Sequence, residues 1–134
     1  MCQRNVLIDV LSSIKTISYG NDYIFGSLIK KMGIDVKHID NPVLIDNIDE
    51  NQIFIKKTHH ALDNLISSYN NKIIKKHSIS ILKAYMILDN LLLKNIFVKI
   101  TDLYRNLLKR NLYRKDPNLF LFDLYRLNYL CKIK

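Results

Sequence analysis

The run Ser18-Tyr19-Gly20-Asn21-Asp22-Tyr23-Ile24-Phe25-Gly26 places a carboxylate two residues after a glycine, where a helix should begin. Asp22 can accept the backbone N–H groups that a first helical turn leaves unpaired. The positive end of the helix dipole favours its ionised form. A carboxylate held this way suits a helix cap, and it suits a general base facing a cleft equally well. The other chemistry-bearing residues offer less. His59 and His60 are adjacent on a predicted helix, so their rings diverge by about 100° and cannot share one metal from one face. They read as partly exposed helix histidines, His38 beside Asp40 as a strand histidine, and His77 as part of a connection. The acidic stretch Asp46-Asn47-Ile48-Asp49-Glu50 lacks the glycine and spaced carboxylates of a calcium loop and reads as a helix-leading charge cluster. Cys2 and Cys131 have no metal-ligand spacing and no identifiable base, and Gly20, Gly26 and Gly33 are too dispersed to cradle a diphosphate.

The segment around Asp22 resembles the Gly-x-Gly-x-Glu-Asp-x-x-Phe-Gly stretch of bacterial family 2 glycosyltransferases. The similarity continues through Cys2-Gln3-Arg4-Asn5-Val6, Asn41-Pro42-Val43, Asn51 with Phe54-Ile55-Lys56-Lys57-Thr58, and Ala61-Leu62 with Asn64-Leu65. It ends with Asn111-Leu112, the run from Pro117 to Leu127, and Tyr129. The order and gaps match over most of the chain. This resemblance implies that Asp22 is the base that deprotonates an acceptor hydroxyl, and that Tyr19, Gly20 and Asn21 shape the acceptor pocket.

Other parts of the family pattern are missing. No Asp-x-Asp motif occurs, and the nucleotide-binding half that carries it in the family is expected to be missing from this chain. Asn21 stands where the family has Glu. Ile45 stands where the segment after Asn41-Pro42-Val43 normally carries a His taken to be a metal ligand, and an isoleucine offers a metal no lone pair. The expectation is therefore a C-terminal fragment of an α/β glycosyltransferase A-type fold, mainly α, with at most one or two short strands. Residues 1–50 would be a remnant of the acceptor side and 51–134 a helical appendage. No cofactor would be retained, since a divalent metal belongs only to a complete relative. The fragment alone would be inactive and would need a nucleotide-sugar-binding chain or half as partner.

The 134 residues suffice for one modest core, and 49% are hydrophobic with only three Gly and two Pro, which argues against disorder. Two cysteines suit a reduced, cytoplasmic setting. No signal-peptide pattern opens the chain, and no run approaches the ~18 apolar residues of a membrane span. Residues 1–65 hold seven Lys/Arg against eight Asp/Glu, whereas residues 66–134 hold fourteen against four. The net charge of +9 thus resides in the second half.

Several helices must position these groups. Phe25, Leu28, Ile29 and Met32 follow helical spacing, and Gly33 supplies a stop. Asp35 to Asp40 alternates like a short strand, and Asn41-Pro42 breaks regular structure before a loop over 41–50. A long helix from Asp49 or Glu50 to about Tyr69 carries the stripe Phe54, Thr58, Ala61, Leu62, Leu65, Ile66, Tyr69. Asn70-Asn71-Lys72 ends it. Ser78 caps the next helix, with Ile79, Leu82, Tyr85, Met86 and Leu93 inward. One helix then runs from about Asn95 to Leu112 with Ile100, Leu103, Tyr104, Leu107 and Leu108 on one side. Asp116-Pro117, a cap residue followed by Pro at the first helical position, starts the last helix.

Lys99, Tyr104, Arg105, Lys109, Arg110, Tyr113, Arg114, Lys115, Tyr125, Arg126, Lys132 and Lys134 mix cations with tyrosines. The simplest reading packs the tyrosines inside and leaves the cations solvated. A functional one is an anionic membrane surface, with the protein peripheral at the inner membrane face. Nucleic acid ranks below it. The rival to a transferase fragment is thus a non-enzymatic basic helical module that binds membrane, nucleic acid or a partner chain.

Overall fold

The structure, a computed structural model, describes residues 4–12, 14, 18–37, 39–43, 50–74 and 79–133. These residues form seven helices, in the order α1 (Arg4–Ser12), α2 (Asn21–Lys31), α3 (Asn51–Asn70), α4 (Ser80–Asn90), α5 (Lys94–Leu103), α6 (Arg105–Leu112) and α7 (Leu119–Lys132). The expected mainly α architecture is present. The short strand is not: Asp35 to Lys37, Ile39 and Asp40 are irregular, and Val36 and Ile39 are exposed. No strand occurs among the described residues to bond such a segment, and an unpaired strand leaves its backbone groups unmet. His38, His77, Ser78, Ile45 and the stretch Asp46 to Asp49 lie outside the described residues, as do Cys2 and Lys134.

The central element is α7, which packs against α3, α4, α5 and α6, while α1 leans on α2 and α2 on α3. The core gathers Val10, Ile24, Leu28, Leu62, Leu65, Ile66, Ile74, Leu82 and Leu130. The α3 stripe is buried as its spacing predicts from Thr58 to Ile66, whereas Phe54 is exposed and Tyr69 half-buried. On α2, Ile24, Ser27 and Leu28 are buried and Met32 is not.

Three helices end alike. Gly33, Lys72 and Leu92 have φ of 67°, 59° and 56° after α2, α3 and α4. In each case the following residue donates to the carbonyl five positions back: Ile34 to Ile29, Ile73 to Ser68 and Leu93 to Leu88, at 3.2, 3.0 and 2.8 Å. This is the Schellman termination, in which a left-handed residue lets the last carbonyls find donors. Glycine serves there without steric cost. A leucine pays roughly 1–2 kcal/mol for the same conformation. The turn at Leu92 also excludes Leu93 from the buried face of α4 and leaves it exposed.

The predicted helix 95–112 is broken at Tyr104. Thr101 Oγ1 donates back to the carbonyls of Phe97 (2.7 Å) and Val98 (3.2 Å), a bond that bends helices. The expected inward face is also mostly turned outward. Of the expected face only Leu108 is buried; Ile100, Leu103, Tyr104 and Leu107 are exposed, and Thr101, Asn111 and Leu112 are buried with Leu108. Hydrogen bonds to α7 hold those polar groups inside. Asn128 donates to Thr101 Oγ1, while Asn111 donates to the Asn118 carbonyl (2.9 Å) and accepts from its N–H (2.8 Å). The same clamp relocates the start of α7. Asn118, not Asp116, is the cap, its Oδ1 accepting the Leu121 N–H at 3.2 Å, so Pro117 precedes the helix.

Candidate functional site

Gly20 is the cap residue of α2, with φ of 87° and ψ of 8°. It sits directly on α3, where a Cβ at Gly20 would stand 2.7 Å from Ala61 Cβ and 2.8 Å from Ala61 Cα. No side chain fits there, and the left-handed backbone independently favours glycine. Asn64, one turn along α3, donates to Asn21 Oδ1 at 2.7 Å and to the Tyr19 carbonyl at 3.4 Å. The Tyr19-Gly20-Asn21 turn is therefore pinned to α3 from both sides of the glycine.

Asp22 then falls at the second position of α2, exposed, one residue inside the helix rather than at its cap. The correction follows from Gly20, because only a residue without Cβ can make the close contact that starts the helix. Asp22 remains within the first turn, where the dipole still favours a negative charge.

Tyr19, Gly20, Asn21 and Asp22 together border one cleft of about 430 Å³ between the start of α2, the first half of α3 and α7. Phe54, Phe122 and Arg126 join them from far along the chain. Phe54 and Phe122 face each other with ring centroids 5.7 Å apart. The Arg126 guanidinium lies 5.4 Å from the Phe122 ring, donates to the Tyr23 hydroxyl at 3.0 Å and pairs with Asp123 at 3.0 Å. Lys57 Nζ stands 5.7 Å from the Tyr19 ring centroid. The cleft thus offers aromatic faces, one carboxylate, and an arginine already held by two partners. Apolar ring faces beside polar groups suit a neutral polyhydroxylated ligand, whose C–H faces stack and whose hydroxyls need acceptors.

Comparison of the chain with protein-family models, with curated proteins and with solved structures returns no match.

The residues that complete the cleft carried weaker signals. Phe54 follows the apolar period of α3 and reads as core, yet it is exposed. Arg126 reads as part of the basic tail, yet its side chain is only 16% exposed and belongs to the cleft.

A second cluster lies on the other side of α3. The His59 and Tyr129 rings stack at 3.9 Å with planes 1° apart, and His59 Nε2 shares a 2.9 Å hydrogen bond with the Tyr125 hydroxyl. The Tyr129 hydroxyl donates to Asp63 at 3.1 Å. Burial lowers the His59 pKa, opposed by the Asp63 charge, and burial raises those of Tyr125 and Tyr129. His59 is thus a packed, partnered residue, whereas His60 is exposed. Burial also pushes the Cys131 thiol up to about 11, so it is no nucleophile at neutral pH.

Among the described residues no three His, Cys, Asp or Glu side chains form a metal-binding group. Among the described residues Asp22 is the one carboxylate bordering the cleft.

Proposed function

We propose that this chain is the acceptor-side part of a family 2 glycosyltransferase, with the cleft between α2, α3 and α7 as its acceptor pocket. The observation that carries the reading is the convergence of Tyr19, Gly20, Asn21 and Asp22 on a cleft walled by Phe54 and Phe122. In this reading a sugar ring of the acceptor stacks on the aromatic wall and directs one hydroxyl at Asp22. The carboxylate takes the hydroxyl proton as that oxygen attacks the anomeric carbon of a nucleotide sugar. The bond from that carbon to the diphosphate breaks, its electron pair leaves with the nucleoside diphosphate, and the configuration inverts. Arg126, held by Tyr23 and Asp123, keeps the wall in place.

These 134 residues contain no Asp-x-Asp, so the donor diphosphate would be held by another chain or segment, and this chain alone would bind acceptor without transferring sugar. Titration of methyl glycosides of glucose, galactose and N-acetylglucosamine against the isotope-labelled protein tests the pocket. Saturable shifts at the amides of Gly20, Asn21 and Thr58, weakened in Asp22→Asn and Phe54→Ala, are expected. Shifts that avoid the cleft, or that both variants leave unchanged, would sink the reading. Calorimetry with uridine- and guanosine-diphosphate sugars plus manganese should give no saturable heat, and micromolar binding would contradict the division of labour.

A further inference from the structure

The surface formed by the α4–α5 turn, α5 and α6 carries large apolar groups that are exposed among the described residues. Leu91, Leu92 and Leu93 are consecutive and exposed, Leu92 at 86%. A run of three exposed apolar residues is an error in a folding surface unless it serves a function. Leu92 is costly twice over, holding a left-handed conformation that glycine would take freely while presenting a large apolar side chain to solvent. Ile96, Ile100 and Leu103, at spacings of four and three, share the face of α5 away from α7, and Leu107 continues the spacing into α6. Each is more than half exposed, Leu103 at 79%.

Charge identifies what covers this face. Residues 94–115 hold seven Lys/Arg and one Asp, so +6 of the chain's +9 lies on these two helices and their exit. The lone acid, Asp102, is paired with Lys132. Lys99, Arg105, Lys109, Arg110, Arg114 and Lys115 are all exposed. A second copy of the chain would bring the same positive charge against this one. A nucleic acid would meet the cations but leave the leucines and isoleucines in water. An anionic lipid surface satisfies both, with headgroups meeting the cations and the apolar stripe entering the boundary between headgroups and acyl chains. We infer that α5 and α6, led by the leucine turn 91–93, form a peripheral docking face for an anionic bilayer. No described helix is long and apolar enough to cross a membrane, so the interaction is one of lying on the surface. This inference stands on the α4–α6 surface and is independent of the cleft.

The test is co-sedimentation of the full chain with vesicles of phosphatidylcholine alone and of phosphatidylcholine mixed with phosphatidylglycerol. Binding should favour the anionic vesicles and weaken with added salt, because exposed charges are screened over about 8–10 Å near physiological ionic strength. Leu92→Gly is the sharpest variant. It relieves the left-handed leucine, so its thermal midpoint should equal or exceed the parent's, while its vesicle affinity should fall about ten-fold through loss of the inserted side chain. Leu103→Ser should lower vesicle affinity comparably, with the helical circular-dichroism signal unchanged. The quadruple change Lys109→Glu, Arg110→Glu, Arg114→Glu, Lys115→Glu should abolish the preference for anionic vesicles.

Equal binding to both vesicle types, or unaltered affinity in Leu92→Gly and Leu103→Ser, would overturn the inference. So would a dimer in sedimentation equilibrium that Leu103→Ser dissociates, or tighter binding to a single-stranded oligonucleotide than to any vesicle.

Discussion

Gly20 carries more of the site than its size suggests, since it starts α2, touches α3 and sets the direction of the residue two places on. Gly20→Ala must both strain a positive φ and press a methyl group into Ala61. The expected loss is about 2–3 kcal/mol in urea denaturation, well beyond the cost of an alanine in an open loop. A variant as stable as the parent would mean that α2 can lift from α3. His59 makes a different prediction, about pH. Its pKa in the folded protein is lowered by burial, while the unfolded chain titrates near the ordinary value of about 6.5. At neutral pH the ring is neutral in both states. As pH falls below about 6.5 the unfolded state takes up the proton first, so this group's penalty on stability grows until the lowered folded pKa is passed and stays constant below it. Stability measured at pH 7 and at pH 5.5 should therefore differ less in His59→Gln than in the parent. An identical pH dependence would show that the ring titrates alike in both states.

At the scale of elements, the junction of α6 and α7 rests on one side chain. Asn111 is buried and satisfies both backbone groups of Asn118, whose own side chain caps α7. Asn111→Ala would leave a buried donor and acceptor unmet and should cost about 1–3 kcal/mol. Asn118→Ala removes one cap bond at an exposed position and should cost about 1 kcal/mol. Denaturant titration of the two variants checks the order. A larger loss at Asn118 would place the junction's strength in the cap and not in the clamp. This buried amide also explains why Leu107 faces outward while Leu108 and Leu112 are buried, since Asn111 and Thr101 can be buried only on the side where α7 supplies partners.

For the molecule as a whole, α7 joins the parts. Leu130 is fully buried in a core that also holds Val10, Ile24, Leu62 and Leu82, residues spread across most of the sequence. Leu130→Ala should cost about 2–5 kcal/mol. Because the cluster is shared, near-ultraviolet and far-ultraviolet signals should melt together at a lower temperature. Loss of one helix ahead of the others would show that α7 is not the common support. The charge is segregated on the same scale, with the α2 and α3 walls of the cleft in the near-neutral half and the cationic face on helices of the basic half.

Helical period, the long α3 and most of its buried stripe were legible in the sequence, because spacing along a helix is a local property and the stops after α2 and α3 are short-range signals. So was the convergence of Tyr19, Gly20, Asn21 and Asp22, which adjacency alone brings to one turn. The identity of the cap was not legible, since Gly20 wins it through contact with Ala61, a residue some forty positions away. Nor was the inward face of α5 and α6. Period shows that a helix has two faces, but which one is buried depends on where a neighbour supplies partners. Here Asn128 and the Asn118 backbone drew Thr101 and Asn111 inward against hydropathy. Phe54, Phe122 and Arg126 became one wall for the same reason. Their meeting is a long-range event, decided by how α7 lies across α3, and no spacing within the chain records it.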